Sequence, residues 1–299
     1  MKILLTGGNG FIGKTILESE WAKQHCIDAP RSFELDLRDT VAVDTFMAHR
    51  TYDALIHSAV KPGHRNAADP TALLQSNLRI NENLLRHAHR FGRLINLGSG
   101  AIYDTSRFIT LANETQVFER IPTDEHGFCK VVQAKRWLET PNAINLHLFG
   151  VYGPHEDWQI RFISNAVCKA LHGLPITLRQ NRRFSYLYAP DLIPVLDALL
   201  SADTVDHAHY NVVPPHIDEL AQLATLVQQQ VQPFDASLPL PAVHIANEGY
   251  GLDYTGDASR LLHEFPQLRF TSVQNALASL FAYYRHHSDV TREALSTDK

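Results

Sequence analysis

The sequence of 299 residues contains few cysteines and no long apolar segment. Its three cysteines, Cys26, Cys129 and Cys168, are odd in number and far apart, so we expect no disulfide framework and a reducing compartment. No apolar run approaches the roughly 18 residues that a membrane-spanning helix requires, and no charged leader with an apolar region is recognisable. These absences predict a cytoplasmic protein that has no membrane partner.

Basic residues are also too few to indicate nucleic-acid binding. The formal net charge is −5 and no block of lysine and arginine occurs, so we expect no positive surface for a phosphate backbone. The 17 histidines do not stand at zinc-ligand spacing beside cysteines or carboxylates, and we expect them to lie mainly at the surface and to bind no metal. The composition therefore favours a small molecule as the partner.

The most informative stretch is 1–14, which reads MKILLTGGNGFIGK. A short apolar run at 3–5 predicts a strand buried on both faces, and Gly7, Gly10 and Gly13 follow it three residues apart. The apolar spacing that comes next predicts a helix. Such a turn lets the backbone approach a pyrophosphate, which a Cβ would obstruct, and the N–H groups at the helix start favour its negative charge. We therefore predict a dinucleotide site, with a purely structural turn as the alternative.

The residues after the second predicted strand, at 25–28, bear on the choice of cofactor. In such α/β folds an acidic residue at the strand end binds the ribose 2′-hydroxyl of NAD, whereas an arginine just beyond it accommodates the 2′-phosphate of NADP. Asp28 and Arg31 are both present, and we favour NADP with NAD as the alternative. A third strand is predicted at 33–37, with Asp36 at its end placed to meet the adenine.

Predicted strands and helices alternate as far as residue 154. Apolar segments predict further strands at 54–60, 93–97 and 143–148, and amphipathic helices lie between them at 71–91 and 127–139. This alternation predicts an α/β fold with a doubly wound parallel sheet of the Rossmann type and right-handed crossovers. Ser99 follows one of these strands at the carboxyl edge of the sheet, where open parallel sheets bind ligands, so it is a candidate for chemistry.

The pattern changes after residue 154, which predicts a smaller C-terminal α/β substrate lobe. Helices are predicted at 160–171, 217–231 and 273–285, and extended segments at 176–178, 184–188 and 210–213. A further helix at 191–200 is expected to rejoin the sheet domain. We therefore assign 1–154, with about 185–202, to the dinucleotide-binding domain, 155–184 and 203–286 to the lobe, and 287–299 to a frayed tail.

Motifs spread along the chain carry a family resemblance. They are TGGNGFIG at 6–13, HSA at 57–59, Asn77 in a leucine-rich helix, LGSGAIY at 97–103, Lys130, FGVYGP at 149–154, PITLRQNRRFSYLYAPDL at 175–192 and YTGDASRLL at 254–262. Together they cover most of the chain and resemble the extended short-chain dehydrogenase/reductase family, in its group of nucleotide-sugar epimerases, dehydratases and reductases. Within that group the chain looks most like the 4-keto-6-deoxy-sugar reductases of the GDP-fucose synthase type.

The resemblance implies an NAD(P)-dependent enzyme that holds a sugar nucleotide between two lobes. It places the cofactor against Gly7, Asn9, Gly10, Phe11, Ile12, Gly13, Arg31, Asp36, Leu37, Ser58, Ala59, Asn77, Lys130, Phe149 and Val151. The candidates for substrate binding are Tyr103, Arg161, Asn165, Arg183 and Arg260, and the arginines suit a pyrophosphate because a guanidinium binds phosphate oxygens in pairs. A homodimer is implied through two helices whose apolar material is Leu84, Leu85, Trp137 and Leu138.

The catalytic residues that the resemblance implies are Ser99, His126 and Lys130, and one of them departs from the family. Members carry a Tyr-x-x-x-Lys motif whose two side chains lie on one helix face, but here 126–130 reads HGFCK. In the family the serine holds the substrate oxygen, the lysine fixes the nicotinamide ribose and the tyrosine moves the proton. Beside Lys130 we expect the imidazole of His126 to be neutral, which makes it a poor proton donor that can still accept a proton.

Three functions follow from this departure. The expected one is reduction of a nucleotide-linked 4-keto-6-deoxyhexose; the alternatives are an epimerase that retains NAD, and a catalytically impaired protein that binds the dinucleotide as a sensor or partner. Tyr103, four residues beyond Ser99, is a candidate replacement donor, with a packing role as the alternative. Ala101 stands where the fucose synthases have a cysteine used in epimerisation, which puts the double epimerisation in doubt.

Overall fold

The computed structural model describes residues 1–62, 69 and 71–296. The strands are β1 (Lys2–Thr6), β2 (Cys26–Asp28), β3 (Tyr52–His57), β4 (Phe91–Leu97), β5 (Ile109–Ala112), β6 (Ala143–Leu148), β7 (Gly150–Tyr152), β8 (Ile176–Asn181), β9 (Arg183–Phe184), β10 (Tyr186–Tyr188), β11 (His209–Val212), β12 (Asp218–Glu219), β13 (Val243–Tyr250) and β14 (Tyr254–Gly256). The α-helices are α1 (Phe11–Leu17), α2 (Thr40–Met47), α3 (Leu73–Leu85), α4 (Glu125–Leu138), α5 (Phe162–Leu171), α6 (Leu192–Ser201), α7 (Leu220–Phe234), α8 (Ser259–Glu264), α9 (Val273–Arg285) and α10 (Arg292–Ser296).

Six strands form a central parallel sheet, which confirms the predicted α/β fold. Their order is β11-β6-β4-β3-β1-β2, and each neighbouring pair is parallel. Ile3, Leu4 and Leu5 of β1 are fully buried, as expected for a continuous apolar run inside a parallel sheet. The strand order reverses where β1 meets β3, and at such a point open α/β sheets leave a ligand crevice beyond the carboxyl ends of their strands.

The predicted third strand at 33–37 is wrong, because this segment forms turns and joins no sheet of the described residues. The backbone N–H groups of Glu34 and Leu35 both donate to the Arg31 carbonyl at 2.9 Å, and the Arg31 N–H donates to the Glu34 carboxylate at 2.7 Å. These local bonds offer the backbone an alternative to a strand ladder. Phe33 is left 77% exposed, and β2 becomes the edge strand of the sheet.

The extended segment predicted at 210–213 lies in the central sheet and not in the lobe. As β11 it pairs in parallel with β6, with Val212 opposite Leu148. Helix α8 packs on the same core through the fully buried Leu261. The assignment of the whole of 203–286 to the lobe is therefore wrong for these elements, because the free edge of β6 offers β11 both a hydrogen-bond ladder and an apolar core.

The smaller lobe has a hydrophobic core of its own, formed by α5, α7, α9 and β8. A short sheet of order β12-β9-β14-β5 belongs to this side of the molecule and sets Tyr254 opposite Phe184. Val290 and Leu295 are each only 5% exposed and pack on the lobe core. The tail is thus anchored through residue 295, contrary to the predicted fraying from 287, and residues 297–299 lie outside the described part of the chain.

Most of the apolar material proposed for a dimer interface lies inside the subunit. Leu84, Leu85 and Trp137 are at most 8% exposed and belong to the core under the sheet, so they are not available to a partner. On the outside, α3 and α4 are joined by an ion pair of Arg136 with Glu82 at 2.7 Å. Among the described residues no helix is both long and apolar enough to cross a membrane.

Candidate active site

A cavity of about 340 Å³ lies where the smaller lobe covers the carboxyl edge of the central sheet. The three predicted catalytic residues line it, namely Ser99, His126 and Lys130. One predicted substrate residue of the lobe, Arg161, lines it as well. Six predicted cofactor residues line it as well: Phe11, Ile12, Ser58, Ala59, Phe149 and Val151. The structure thus brings residues from five separate motifs into one cavity.

The glycine turn after β1 has the geometry that a dinucleotide requires. Gly7 has a φ of +76°, and a Cβ there would lie 2.6 Å from the Ala59 nitrogen. A Cβ on Gly13 would lie 2.1 Å from the Gly7 carbonyl oxygen, so this glycine lets helix α1 pack on the turn. Gly10 differs, because its Cβ would meet only the Gly7 oxygen at 3.3 Å and would project from an exposed surface beside the exposed Asn9. That open surface is where the pyrophosphate approaches in this type of turn.

Asn77 shapes the cofactor side without lining the cavity. Its amide oxygen accepts a hydrogen bond from the Lys61 N–H at 2.7 Å, and its amide nitrogen donates to the Lys61 carbonyl at 3.1 Å. The side chain is 2% exposed, so these bonds form in a dry environment. Asn77 therefore fixes the loop that carries Ser58 and Ala59 beyond β3.

Some of the residues predicted to distinguish NAD from NADP already have partners within the protein. The Asp28 carboxylate accepts a hydrogen bond from the Tyr52 hydroxyl at 2.8 Å. Asp36 pairs with Arg38 at 2.8 Å, and this hydrogen bond lowers the pKa of Asp36. Arg31 is exposed in the turn beyond β2, whereas Leu37 is half-buried and packs on the core below the sheet.

Ser99 lies at the carboxyl end of β4, and its contacts single out one tyrosine. Its hydroxyl oxygen accepts a hydrogen bond from the Ala101 N–H at 3.1 Å, and Tyr254 of β14 lines the same cavity near the Ser99 side chain. Tyr103 points away from the cavity, since its hydroxyl donates to the Asn211 amide oxygen at 2.8 Å and its ring stacks on Phe149. The structure thus places Tyr103 in the packing role and removes it from the substrate residues.

His126 and Lys130 project from the first turns of α4. The Asp124 carboxylate accepts from the Gly127 N–H at 2.8 Å and caps the helix, and a separation of four residues puts both side chains on one face. Burial lowers the pKa of Lys130. Loss of hydration and the nearby Lys130 charge lower the pKa of His126, so its ring is neutral at neutral pH, as expected from the sequence.

His57 lies close enough to Lys130 to feel its charge, and among the histidines that the structure describes it is one of two that are buried, contrary to the expected surface placement. It is 2% exposed, its Nδ1 lies 2.7 Å from the Thr6 hydroxyl, and its ring stacks on Trp137. Burial, with the charge of Lys130, lowers the pKa of His57 to about 3. His147 is the other, and burial lowers its pKa to about 3 as well. Among the described residues, no group of three or more potential ligand side chains is arranged to hold a metal ion.

Of the predicted substrate residues in the second half of the chain, only Arg161 reaches the cavity. Asn165 donates from its amide to the Trp158 carbonyl at 3.1 Å and holds the loop before α5. Arg183 pairs with Asp253 at 3.1 Å. Arg260 pairs with Glu114 at 3.5 Å beside a separate groove of about 680 Å³.

The sequence analysis missed three polar residues on the lobe side that line the cavity, Glu156, Tyr186 and Tyr254. Glu156 is 7% exposed; burial raises its pKa to about 8, although the Ser164 hydroxyl donates to the carboxylate and Arg161 lies nearby. Burial also raises the pKa of Tyr254. Glu156 comes two residues after FGVYGP and Tyr254 opens YTGDASRLL, but neither segment has a local pattern that marks these side chains as part of a site.

Comparison with known proteins agrees with this geometry. Residues 3–212 match the NAD dependent epimerase/dehydratase family. GDP-L-colitose synthase of Yersinia pseudotuberculosis is 27% identical over 64% of this chain and 70% of its own length. GDP-L-fucose synthase of Azorhizobium caulinodans is 34% identical over 34% of each chain. A GDP-6-OMe-4-keto-L-xylo-heptose reductase from C. jejuni shares the fold, with a TM-score of 0.77, 15% identity and coverage of 95% of this chain and 97% of its own. The chain belongs to the NAD-dependent epimerase/dehydratase family.

Proposed function

We propose that the protein is an NADP-dependent reductase of a GDP-linked 4-keto-6-deoxyhexose. The observation that carries the proposal is that Ser99 and Lys130 line one cavity with Phe11 and Ile12, which follow directly on the glycine turn. Two relatives are named as synthases of GDP-L-colitose and GDP-L-fucose, and these names support the choice of a GDP-linked sugar. A cytoplasmic location and a homodimer remain predictions from the sequence.

The residues of the turn and of the sheet edge fit a nicotinamide dinucleotide. The open surface at Gly10 would take the diphosphate, Ser58 and Ala59 would face the dinucleotide, and Lys130 would hold the ribose next to the nicotinamide. When bound, the reduced nicotinamide supplies a hydride to the carbonyl carbon. NADP is the form we propose because Arg31 is exposed beyond β2, whereas Asp28 already accepts a bond from Tyr52.

The chain's own groups must then bind the carbonyl oxygen and deliver one proton to it. Ser99 supports the oxygen with its hydroxyl, which is oriented by the Ala101 N–H. Lys130 adds positive charge at a buried position, where a charge acts more strongly than in water. His126 is a poor source of the proton, because loss of hydration and the Lys130 charge lower its pKa and leave the ring neutral.

A turnover assay tests the proposal. The purified protein is incubated with NADPH and a GDP-linked 4-keto-6-deoxyhexose, and the loss of NADPH absorbance is compared with the product mass. We expect NADPH to be consumed in a one-to-one ratio with a product that is two hydrogen atoms heavier than the substrate. Binding of NADPH without any consumption would contradict the reductase and support the impaired binding protein that the histidine at position 126 suggests.

A second candidate is an epimerase that retains NAD. A UDP-glucose 4-epimerase of Thermus thermophilus in complex with NAD shares the fold, with a TM-score of 0.73, 21% identity and coverage of 96% of this chain and 100% of its own. Interconversion of a nucleotide sugar with no net consumption of added NADPH would favour this reading. The NADPH-to-product ratio of the same assay therefore separates the two activities.

A further inference from the structure

Tyr254 lies in the candidate active site, although no motif of the sequence predicted it there. It belongs to β14 of the lobe sheet and lines the candidate active site together with Ser99, whose side chain is near enough to favour the phenolate form of Tyr254. Its ring lies against Phe149, with ring centroids 4.9 Å apart, and against Phe184 at 5.7 Å. A phenol is therefore held by two aromatic rings beside the hydroxyl that supports the substrate oxygen.

The other candidate acids of the site are less well placed. Tyr103 is bonded to Asn211 and stacks behind Phe149, so its hydroxyl does not face the cavity. Glu156 lines the cavity, but its carboxylate is engaged by the hydroxyl of Ser164 on α5. Among the described contacts of Ser99, Tyr254 is the one that brings an acidic hydroxyl to it.

The charges that act on Tyr254 suit a group that becomes an anion during the reaction. Arg161, which precedes α5, and Arg182, which lies between β8 and β9, both favour the phenolate form by their positive charge. Arg182 is fixed by a bond from its Nε to the Leu252 carbonyl at 2.6 Å and by its position 4.8 Å from the centroid of the Phe184 ring. These two guanidinium groups would stabilise the phenolate formed when the proton leaves.

We propose that Tyr254 is the proton donor of the reduction and replaces the family tyrosine that is His126 here. This inference rests on the proposed function. As the carbonyl carbon receives the hydride from the reduced nicotinamide, the carbon–oxygen π bond breaks and the oxygen takes the proton of the Tyr254 hydroxyl. One C–H and one O–H bond form, the nicotinamide is oxidised, and the Tyr254 phenolate regains a proton from water.

Replacement of Tyr254 by phenylalanine tests the role of the hydroxyl with little change in shape. We expect Y254F to lose roughly 100- to 10,000-fold in kcat, which is the usual contribution of general acid catalysis, while the Kd for NADPH changes less than about twofold. Y103F is the matched control, since it removes a tyrosine hydroxyl outside the cavity, and its kcat should stay within about threefold of the wild type. A Y254F protein that reduces the substrate as fast as the wild type would overturn the inference.

A second measurement does not depend on turnover. Tyrosines labelled with 13C at the ζ carbon give one resonance that is absent from Y254F, and addition of NADP⁺ should shift this resonance but not that of Tyr103. Ser99→Ala should also shift it, because it removes a polar side chain that acts on the Tyr254 hydroxyl. A Tyr254 resonance that responds to neither change would overturn the inference. If the wild type reduces no keto-sugar nucleotide at all, the proposed function fails and the inference fails with it, whereas an active wild type and an equally active Y254F sink the inference alone.

Discussion

The two walls of the cavity hold different kinds of titratable group. The wall on the sheet side, called here the sheet wall, carries nitrogen bases whose pKa values are lowered: His57, His126 and Lys130. The wall on the lobe side, the lobe wall, carries oxygen acids whose pKa values are raised: Glu156, Tyr186 and Tyr254. Loss of hydration is the largest cause on both walls, because it disfavours the charged form of either kind of group.

The same physical cause therefore gives the walls opposite chemical abilities. At neutral pH the histidines of the sheet wall are neutral and have no acidic proton to give, whereas the acids of the lobe wall keep theirs. The proposed reduction of a ketone consumes a proton, so we expect it to use the lobe wall, although the family motif lies on the sheet wall. The experiments below disturb one wall at a time.

The largest effect is expected from removal of the sheet-wall cation by Lys130→Met. Turnover should fall roughly 100- to 10,000-fold if Lys130 has the proposed role, because the variant then loses both a ribose anchor and a positive charge in the cavity. The Lys130 charge lowers the pKa of His126, so the pKa of this histidine should rise in the variant, measured by a histidine NMR titration.

Lys135→Met is the matched control for this change, because Lys135 is exposed near the end of the same helix. Its turnover and the pKa of His126 should both match the wild type. An unchanged His126 titration in Lys130→Met would show that the two side chains do not interact as the structure places them.

The second-largest effect is expected when the proton-donating tyrosine is moved from the lobe wall to the sheet wall. In the Y254F background, His126→Tyr restores a tyrosine four residues before Lys130 and should recover roughly tenfold or more of the lost kcat. In the wild-type background the same change should have a small effect, because Tyr254 already supplies the proton. If Y254F and the double variant have equal rates, a tyrosine on the sheet wall cannot take over proton donation from Tyr254.

The walls also differ in how pH changes stability. The pKa of Glu156 is raised from 4.5 to about 8, so its contribution to folding is complete below pH 4.5 and is lost as the pH rises through 8. The pKa of His57 is lowered from 6.5 to about 3, so its contribution is complete above pH 6.5 and is lost as the pH falls through 3. Of these two groups only Glu156 titrates between pH 6.5 and 8, so its contribution to the free energy of unfolding should fall by about 1.4 kcal/mol per pH unit.

Urea unfolding across that window measures the effect. Glu156→Gln keeps the shape of the side chain and cannot ionise, so its free energy of unfolding should be flat where that of the wild type falls. Glu248→Gln, at an exposed position of β13, should keep the wild-type slope. If the free energy of unfolding has the same pH slope in all three proteins, the slope does not come from the titration of Glu156.

Most of the sheet side of the cavity could be predicted from the sequence, with the buried His57 as an exception, because its residues lie close to local signals. Phe11 and Ile12 follow a glycine turn after an apolar strand, Ser99 follows a strand end, and Lys130 belongs to a motif with helical spacing. The carboxyl ends of parallel strands meet at one edge, so the fold assembles such residues once its strands are identified. The extended segment at 210–213 was predicted, but its pairing with β6 was not, because a short edge strand carries no periodic signal that identifies its partner.

The lobe wall could not be predicted in the same way. Tyr254 reaches Ser99 through the pairing of β14 with β9 and β5, and these short strands are far apart in the sequence. Arg161, Arg183 and Arg260 looked equivalent in the sequence, but carboxylates at Asp253 and Glu114 engage the last two outside the cavity. Which arginine is free depends on tertiary partners that no local pattern reveals.

The smallest effect concerns the cofactor and Arg31, an exposed residue in the turn beyond β2 that does not line the cavity. Arg31→Ala should weaken NADPH binding by roughly tenfold, about 1.4 kcal/mol, and leave NADH binding unchanged, since only the 2′-phosphate would contact the guanidinium. Arg50→Ala, which removes another exposed arginine of the same domain, should alter neither affinity. Calorimetric titration with both dinucleotides gives the ratio directly. Equal losses for NADPH and NADH would assign Arg31 to the fold of its turn, where its backbone bonds to Glu34, and would return the choice of cofactor to NAD.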